Sequence, residues 1–182
     1  MGKKIFAVPE YTTGEQIKNI RKELGMTQKE FAELVNSSKA TVERWEAGRT
    51  QINGPIVLLL ELLKTDKDYI EKIRIPQKVY PLRMFYMYKD KICTIIDIDE
   101  IKQTVYIKNF TDNILFRAFG IEEHPDFALY EEFLKSRCFP ESRDKMKLVL
   151  GELNLPFYDP LLIIEKTEGR MAEDDFWIRI ER

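Results

Sequence analysis

The stretch Met26-Thr27-Gln28-Lys29-Glu30-Phe31-Ala32-Glu33-Leu34-Val35-Asn36-Ser37-Ser38-Lys39-Ala40-Thr41-Val42-Glu43-Arg44-Trp45-Glu46-Ala47-Gly48-Arg49-Thr50 decides how this chain is read. Thr27 with Glu30 three residues on is a capping box, and Phe31, Leu34 and Val35 supply the buried stripe of the helix it starts. Asn36 tolerates the left-handed backbone that ends such a helix. Ser38 then caps a second helix, Lys39 to Ala47, in which Val42 and Trp45 share a face and Gly48 closes the segment. With those two turned inward, Lys39, Ala40, Glu43 and Arg44 fall on the outer face.

On the N-terminal side, Ile17, Ile20 and Leu24 lie on one helical face and Gly25 follows as a stop. On the C-terminal side, Gly54-Pro55 opens a fourth helix to about Lys64, with proline where no amide hydrogen is needed. Asp68 to Ile73 adds a fifth. The apolar residues of Ile56-Val57-Leu58-Leu59-Leu60-Glu61-Leu62-Leu63 go nearly all round, so that helix requires cover on more than one side. Burial within the chain is one account; a homodimer interface is the other.

Past residue 75 the apolar period changes, and residues 76–81, bracketed by Pro76 and Pro81, read as a linker between residues 1–75 and 82–182. The charges split there too: 13 Lys and Arg against 11 Asp and Glu in residues 1–75, then 16 against 20, so the first part is slightly basic and the second acidic. Four β-prone runs, Leu82–Tyr88, Lys91–Ile98, Thr104–Phe110 and Asn113–Phe119, predict an antiparallel meander. Phe127–Arg137, Glu141–Leu153 and Pro160–Lys166 predict three helices, and Asp175–Ile180 a closing strand. The expected architecture is an all-α N-terminal bundle of four to five helices followed by an α+β domain. Alternation puts Leu82, Met84, Tyr86 and Tyr88 on one face and Phe85 and Met87 on the other, so both faces of the sheet need cover.

Residues 26–50 resemble the helix-turn-helix of the Cro/phage-repressor, or Xre, class: T-Q-x-x-x-A, then S-x-x-T-[VI]-x-x-[WL]-E-x-G-[RK], with Asn36 where the class usually has glycine. The resemblance covers about residues 14–64, and the G-P-x-x-x-L-L-x-L-L helix that follows is typical of the branch that includes antitoxins of toxin-antitoxin modules. It implies binding to a double-stranded DNA operator, as a dimer on two half-sites. Helix Lys39–Ala47 would then read the major groove. Arg44 suits guanine by a bidentate pair, Lys39 guanine or phosphate, and Ala40 a thymine methyl; Glu43 has two readings, accepting from cytosine or repelling phosphate. Gln28, Ser38, Thr41, Arg49 and Thr50 are the phosphate candidates. The bland alternative is a bundle with a solvated charged face, which the seven basic and six acidic residues of 14–53 would also fit.

Catalysis finds little support. The single histidine sits in the polar stretch Glu122-Glu123-His124-Pro125, Cys93 and Cys138 have no C-x-x-C spacing, and no phosphate loop, nucleophile elbow or kinase signature is present. No cofactor or metal is expected, Glu173-Asp174-Asp175 reading as an exposed turn. A net charge of −2 excludes a strongly basic coat. The longest apolar run is far short of the ~20 residues of a membrane-spanning helix, and the N-terminal apolar stretch is too short for a signal-peptide core, so the expected setting is cytoplasmic.

The second domain then reads as a binding or sensing module. Its segment from Arg137 to Ile178 is similar to small bacterial proteins found beside HipA-like kinase toxins, which implies Arg170, Asp174 and Trp177 as partner contacts; a helix-to-strand turn with Trp177 in the core is the plainer account. The leading expectation is an autoregulating antitoxin whose second domain binds a toxin protein. The alternative is a self-contained repressor whose second domain oligomerises or senses a ligand.

Overall fold

Local signals account for the first five helices of the computed structural model, which describes residues 5–48, 50–66 and 68–182. Helix α1 (Gly14–Glu23) and helix α2 (Gln28–Leu34) each begin with a complete capping box, Thr13 with Gln16 and Thr27 with Glu30. Both end the same way. Gly25 and Asn36 take positive φ of 64° and 50°, and the following amides, Met26 and Ser37, reach back to the carbonyls of Arg21 and Ala32. This is the paired hydrogen-bond closure of a left-handed helix end, and Asn36 performs it as well as Gly25. Helices α3 (Lys39–Ala47), α4 (Pro55–Thr65) and α5 (Asp68–Ile73) complete the set.

The chain divides into two units, residues 1–74 and 75–182, each with its own core. In the first, Ile17, Phe31, Val42 and Leu60 are essentially inaccessible. Thr12 and Ile52 pair as a one-step antiparallel bridge, exchanging two hydrogen bonds of 2.9 Å. Helix α4 turns Ile56, Val57, Leu60 and Leu63 inward, while Leu58 and Leu62 stay exposed, as do Tyr69 and Ile73 on α5.

The second unit is a four-stranded antiparallel sheet with helices. Strands β1 (Leu82–Tyr88), β2 (Lys91–Asp99) and β3 (Thr104–Asn109) form the meander, and β4 (Phe176–Glu181) pairs with the free edge of β1, giving the order β3-β2-β1-β4. Helix α6 (Phe127–Ser136) and helix α8 (Pro160–Thr167) bury Tyr130, Phe133, Leu134, Ile163 and Ile164 with Leu82, Met84 and Tyr86 in the larger core. On the opposite face Phe85, Met87 and Ile95 make a smaller cluster, covered in part by Arg179, whose guanidinium stacks 4.2 Å from the Phe85 ring.

Residues 76–81 carry no helix or strand and are tied to this unit: Arg83 donates to the Pro76 carbonyl, and the Val79 amide donates to Asp97. Arg83 and Asp97, opposite each other in β1 and β2, close a buried bidentate pair at 2.6 and 2.7 Å.

Two sequence expectations are corrected. Asn113–Phe119 is not a fourth meander strand: Asn113 caps a 3₁₀ turn at Ile114–Phe116. Phe116 and Phe119 both pack on the larger core, and two inward residues three apart fit a helical turn rather than the two-residue period of a strand. The helix expected over Glu141–Leu153 is shorter, α7 (Met146–Glu152), because Lys145 adopts a left-handed conformation at its start.

Candidate nucleic-acid interface

The geometry of α3 follows from what holds it. Ser38 accepts from the Thr41 amide at 3.1 Å, and its hydroxyl lies 2.9 Å from that of Thr41, so both hydroxyls are engaged in the cap itself. Val42 has no accessible surface and Trp45 is half-buried. At the far end the glycine of α1 explains the close packing. A Cβ on Gly14 would stand 2.0 Å from the Trp45 carbonyl oxygen, so only a hydrogen fits between the start of α1 and the last turn of α3.

Glu46 carries the polar half of the same junction. Its carboxylate takes Arg21 Nε at 2.6 Å and Arg21 Nη2 at 2.9 Å, and Gln28 Nε2 donates to it at 3.0 Å. Arg21 Nη1 also donates to the Met26 carbonyl. Glu46 thereby ties α3 to α1 and α2, and Arg21 carries the tie on to the turn between them. The Arg21 hydrogen bonds hold the Glu46 carboxyl below the usual carboxylate range, against the opposing effect of burial.

The remaining side of α3 faces outward. Lys39, Ala40, Glu43 and Arg44 are all exposed. Lys39 Nζ sits 3.0 Å from Glu43 Oε1, one turn on, so Glu43 offsets the lysine charge on this face. Arg44 makes no side-chain hydrogen bond or ion pair among the described residues and leaves its planar fork of donors to solvent. Gln28 is half-buried and turned onto Glu46, which engages one of its two amide hydrogens. Thr50 is exposed and Thr41 half-buried; Arg49 lies outside the described residues.

This arrangement, a capped short helix, a tight left-handed turn and a second capped helix showing one polar face, is that of a helix-turn-helix, and residues 17–64 match the helix-turn-helix family. The chain carries an Xre-type helix-turn-helix domain. Among curated proteins, antitoxin HigA-2 of Vibrio cholerae is 36% identical over 59 residues, covering 32% of this chain and 57% of that protein. The type II methyltransferase M.MspI of Moraxella sp is 28% identical over 114 residues, covering 58% of this chain and 27% of that protein. The chain thus spans about half of the first relative and a quarter of the second, and the methyltransferase likeness does not establish catalysis here. In the helix-turn-helix domain, motif spacing located the outward residues, whereas Arg21, Glu46 and Gly14 as the fixing elements were missed. Glu46 stands in the motif already; its partner 25 residues away leaves no local signal.

In the second unit the expected partner residues sit together around a surface cavity of about 360 Å3. They differ in availability. Asp174 is exposed, but both its oxygens are taken by Arg137 at 2.7 and 3.0 Å, and Arg137, itself buried, also donates to the carbonyls of Gly169 and Phe176. Trp177 is half-buried against the smaller sheet cluster and donates from Nε1 to the Lys89 carbonyl at 2.7 Å. Arg170 is exposed, with its guanidinium 4.7 Å over the Trp177 ring and an ion pair to Glu168. Of the three, Asp174 is committed to holding Arg137, a role its place in an acidic run did not announce. Among the described residues no helix is long and apolar enough to cross a membrane.

Proposed function

We propose that this chain is a sequence-specific transcriptional regulator that inserts α3 into the major groove of an operator and reads it with Lys39, Ala40, Glu43 and Arg44. The observation that carries the reading is the outward face of α3: four exposed side chains on a helix whose other side is fixed by Val42, Trp45 and Glu46. In this reading Arg44 takes guanine and Ala40 meets a thymine methyl. Gln28, Ser38, Thr41 and Thr50 are the phosphate set of this proposal, together with Arg49, which lies outside the described residues. A homodimer is part of the proposal. One domain offers few base contacts, and Leu58, Leu62, Tyr69 and Ile73 present an exposed apolar surface on α4 and α5 for a second copy.

The likeness to an antitoxin over the N-terminal part supports a finer reading, in which the operator lies beside the chain's own gene, in the cytoplasm, and the second unit binds a toxin protein. Arg170 and Trp177, exposed and half-exposed at one cavity mouth, are the contacts proposed for that partner, with Asp174 supporting them through Arg137. The test is site selection from a random duplex pool with the full chain, followed by equilibrium binding. A recovered palindromic site with half-sites about 10–10.5 base pairs apart supports the reading. Recovery of no sequence above the pool removes it. For the antitoxin component, co-expression with the adjacent reading frame must relieve the growth inhibition that frame causes alone; unchanged inhibition favours a self-contained repressor.

A further inference from the structure

The second unit holds a cavity that neither the DNA interface nor the partner surface uses. It has a volume of about 150 Å3 and lies between α6 and the first turn of α8, with Phe127, Leu134 and Leu161 as apolar walls. Tyr130 lines it. That residue is 1% exposed, and its hydroxyl is buried with no hydrogen-bond partner. A buried phenol without a partner is costly to keep, since a phenylalanine would fill the same space without the unpaired group. Glu100, Glu131 and Asp159 line the same cavity and act electrostatically on the hydroxyl, Asp159 also accepting from the Leu162 amide as the cap of α8, against the single ammonium of Lys135 in the lining, which is exposed. The guanidinium of Arg182 pairs with Glu165 and also acts on Glu100, which leaves Glu131 and Asp159 as the carboxylates without a cation beyond Lys135 in this lining. The half-buried Phe127 ring, 5.3 Å from the buried Tyr130 ring and tilted by 48° to it, presents aromatic surface beside this negative charge.

These features select a class of ligand. Apolar walls, the Phe127 ring and surplus carboxylates together favour a positive head group carried on a short apolar arm. A bare metal ion fits less well, because among the described residues no three acidic, histidine or cysteine side chains converge as a ligand set. We propose that this cavity binds an organic cation, an alkylammonium or alkylguanidinium group, which donates to the Tyr130 oxygen and to the carboxylates at the rim. Burial and the neighbouring carboxylates push the phenol up, so it meets the ligand neutral, with its oxygen able to accept. The proposal is independent of the DNA-binding reading.

Calorimetric titration of the full chain with n-butylammonium, n-butylguanidinium and the neutral n-butanol tests it. Saturable one-to-one binding of the cations in the millimolar range expected of so few atoms, without binding of butanol, is the expected result. Exposed Glu131 allows a variant that leaves the core untouched, and Glu131→Gln is expected to weaken binding about threefold or more. Tyr130→Phe is expected to weaken it further while raising the melting temperature of the unliganded chain by about 2–4 °C, the response to removing an unpaired buried group. A merely structural phenol would lower that temperature instead. Absence of saturable binding, equal binding of butanol, or affinity unchanged in Glu131→Gln overturns the proposal. A blocked glycine-arginine-glycine peptide separates the two sources of such a cation. Binding tighter than butylguanidinium assigns the site to a basic side chain of a partner protein, and equal binding assigns it to a free amine or guanidine.

Discussion

Glu46 in α3 and Arg21 in α1 meet through both oxygens of the carboxylate and two nitrogens of the guanidinium, with only 5% and 12% of the side chains accessible. Breaking such a pair leaves a poorly solvated charge behind. Glu46→Gln keeps the shape and one acceptor but loses the charge, and is expected to destabilise the first unit by about 1–3 kcal/mol, discounted from the fully buried case because the pair reaches the surface. Urea unfolding followed by Trp45 fluorescence checks it; an unchanged midpoint would mean the pair contributes nothing net.

The same carboxylate makes stability depend on acid. Hydrogen bonding to Arg21 lowers the pKa of Glu46, and hydrogen bonding to Arg137 lowers that of Asp174. Both therefore hold protons less readily in the folded chain than in the unfolded one. Their contributions are complete above the ordinary carboxylate value near ~4 and are lost as pH falls through the lowered folded values. Melting temperature against pH should be flat between about 5 and 8 with respect to these groups and fall in acid. Glu46→Gln combined with Asp174→Asn should flatten the acid limb; an identical slope in that variant would show that other groups control it.

Gly14→Ala reverses a simple expectation. On backbone freedom alone alanine would stabilise a helix by roughly 0.5–1 kcal/mol. Here the added methyl would meet the Trp45 carbonyl oxygen at 2.0 Å, and neither partner is a flexible side-chain tip. Destabilisation of about 1–3 kcal/mol or more is expected. A rise in melting temperature would contradict the close approach.

Arg44 should separate recognition from stability. Arg44→Ala removes an exposed side chain and is expected to leave unfolding within about 0.5 kcal/mol while weakening the selected operator by ~1–3 kcal/mol. Arg44→Lys keeps the charge but not the planar fork, so affinity for random duplex should survive and discrimination fall. Equal losses on operator and random duplex in both variants would place Arg44 on phosphate.

The two thiols should be inert until the chain opens. Cys93 and Cys138 are both buried, and burial pushes the Cys138 thiol up to about 12 and raises that of Cys93. Reaction with a disulfide reagent at pH 8 should be negligible in the native protein and release two equivalents in denaturant. Rapid native labelling would indicate that β2 or the segment just past α6 opens locally.

Much of this architecture could be read from neighbours in sequence. Thr27 with Glu30, Ser38 before Lys39, Pro55 at the start of α4 and Asp159-Pro160 before α8 are rules spanning four residues or fewer, and each sits at an observed helix start. The outward set of α3 was legible for the same reason, since Val42 and Trp45 fix the phase of one short helix. What escaped was decided at long range. Arg21 with Glu46, Arg83 with Asp97 and Arg137 with Asp174 are joined across 25, 14 and 37 residues, and no local pattern marks them. Ile114-Leu115-Phe116 was misread because three consecutive apolar residues satisfy a strand and a 3₁₀ turn alike. Core contacts of Phe116 and Phe119, not propensity, made the choice.

The division of labour within α3 has an evolutionary consequence. What fixes the helix to its neighbours points inward or back along its axis: Val42, Trp45, the Glu46 grip and the space left by Gly14. Of the four side chains proposed to read DNA, Ala40 and Arg44 take no part in that support, and Lys39 and Glu43 pair only with each other at the exposed surface. A lineage can therefore exchange Lys39, Ala40, Glu43 and Arg44 for other residues and acquire a new operator without passing through an unstable intermediate, so that the scaffold persists while its vocabulary drifts.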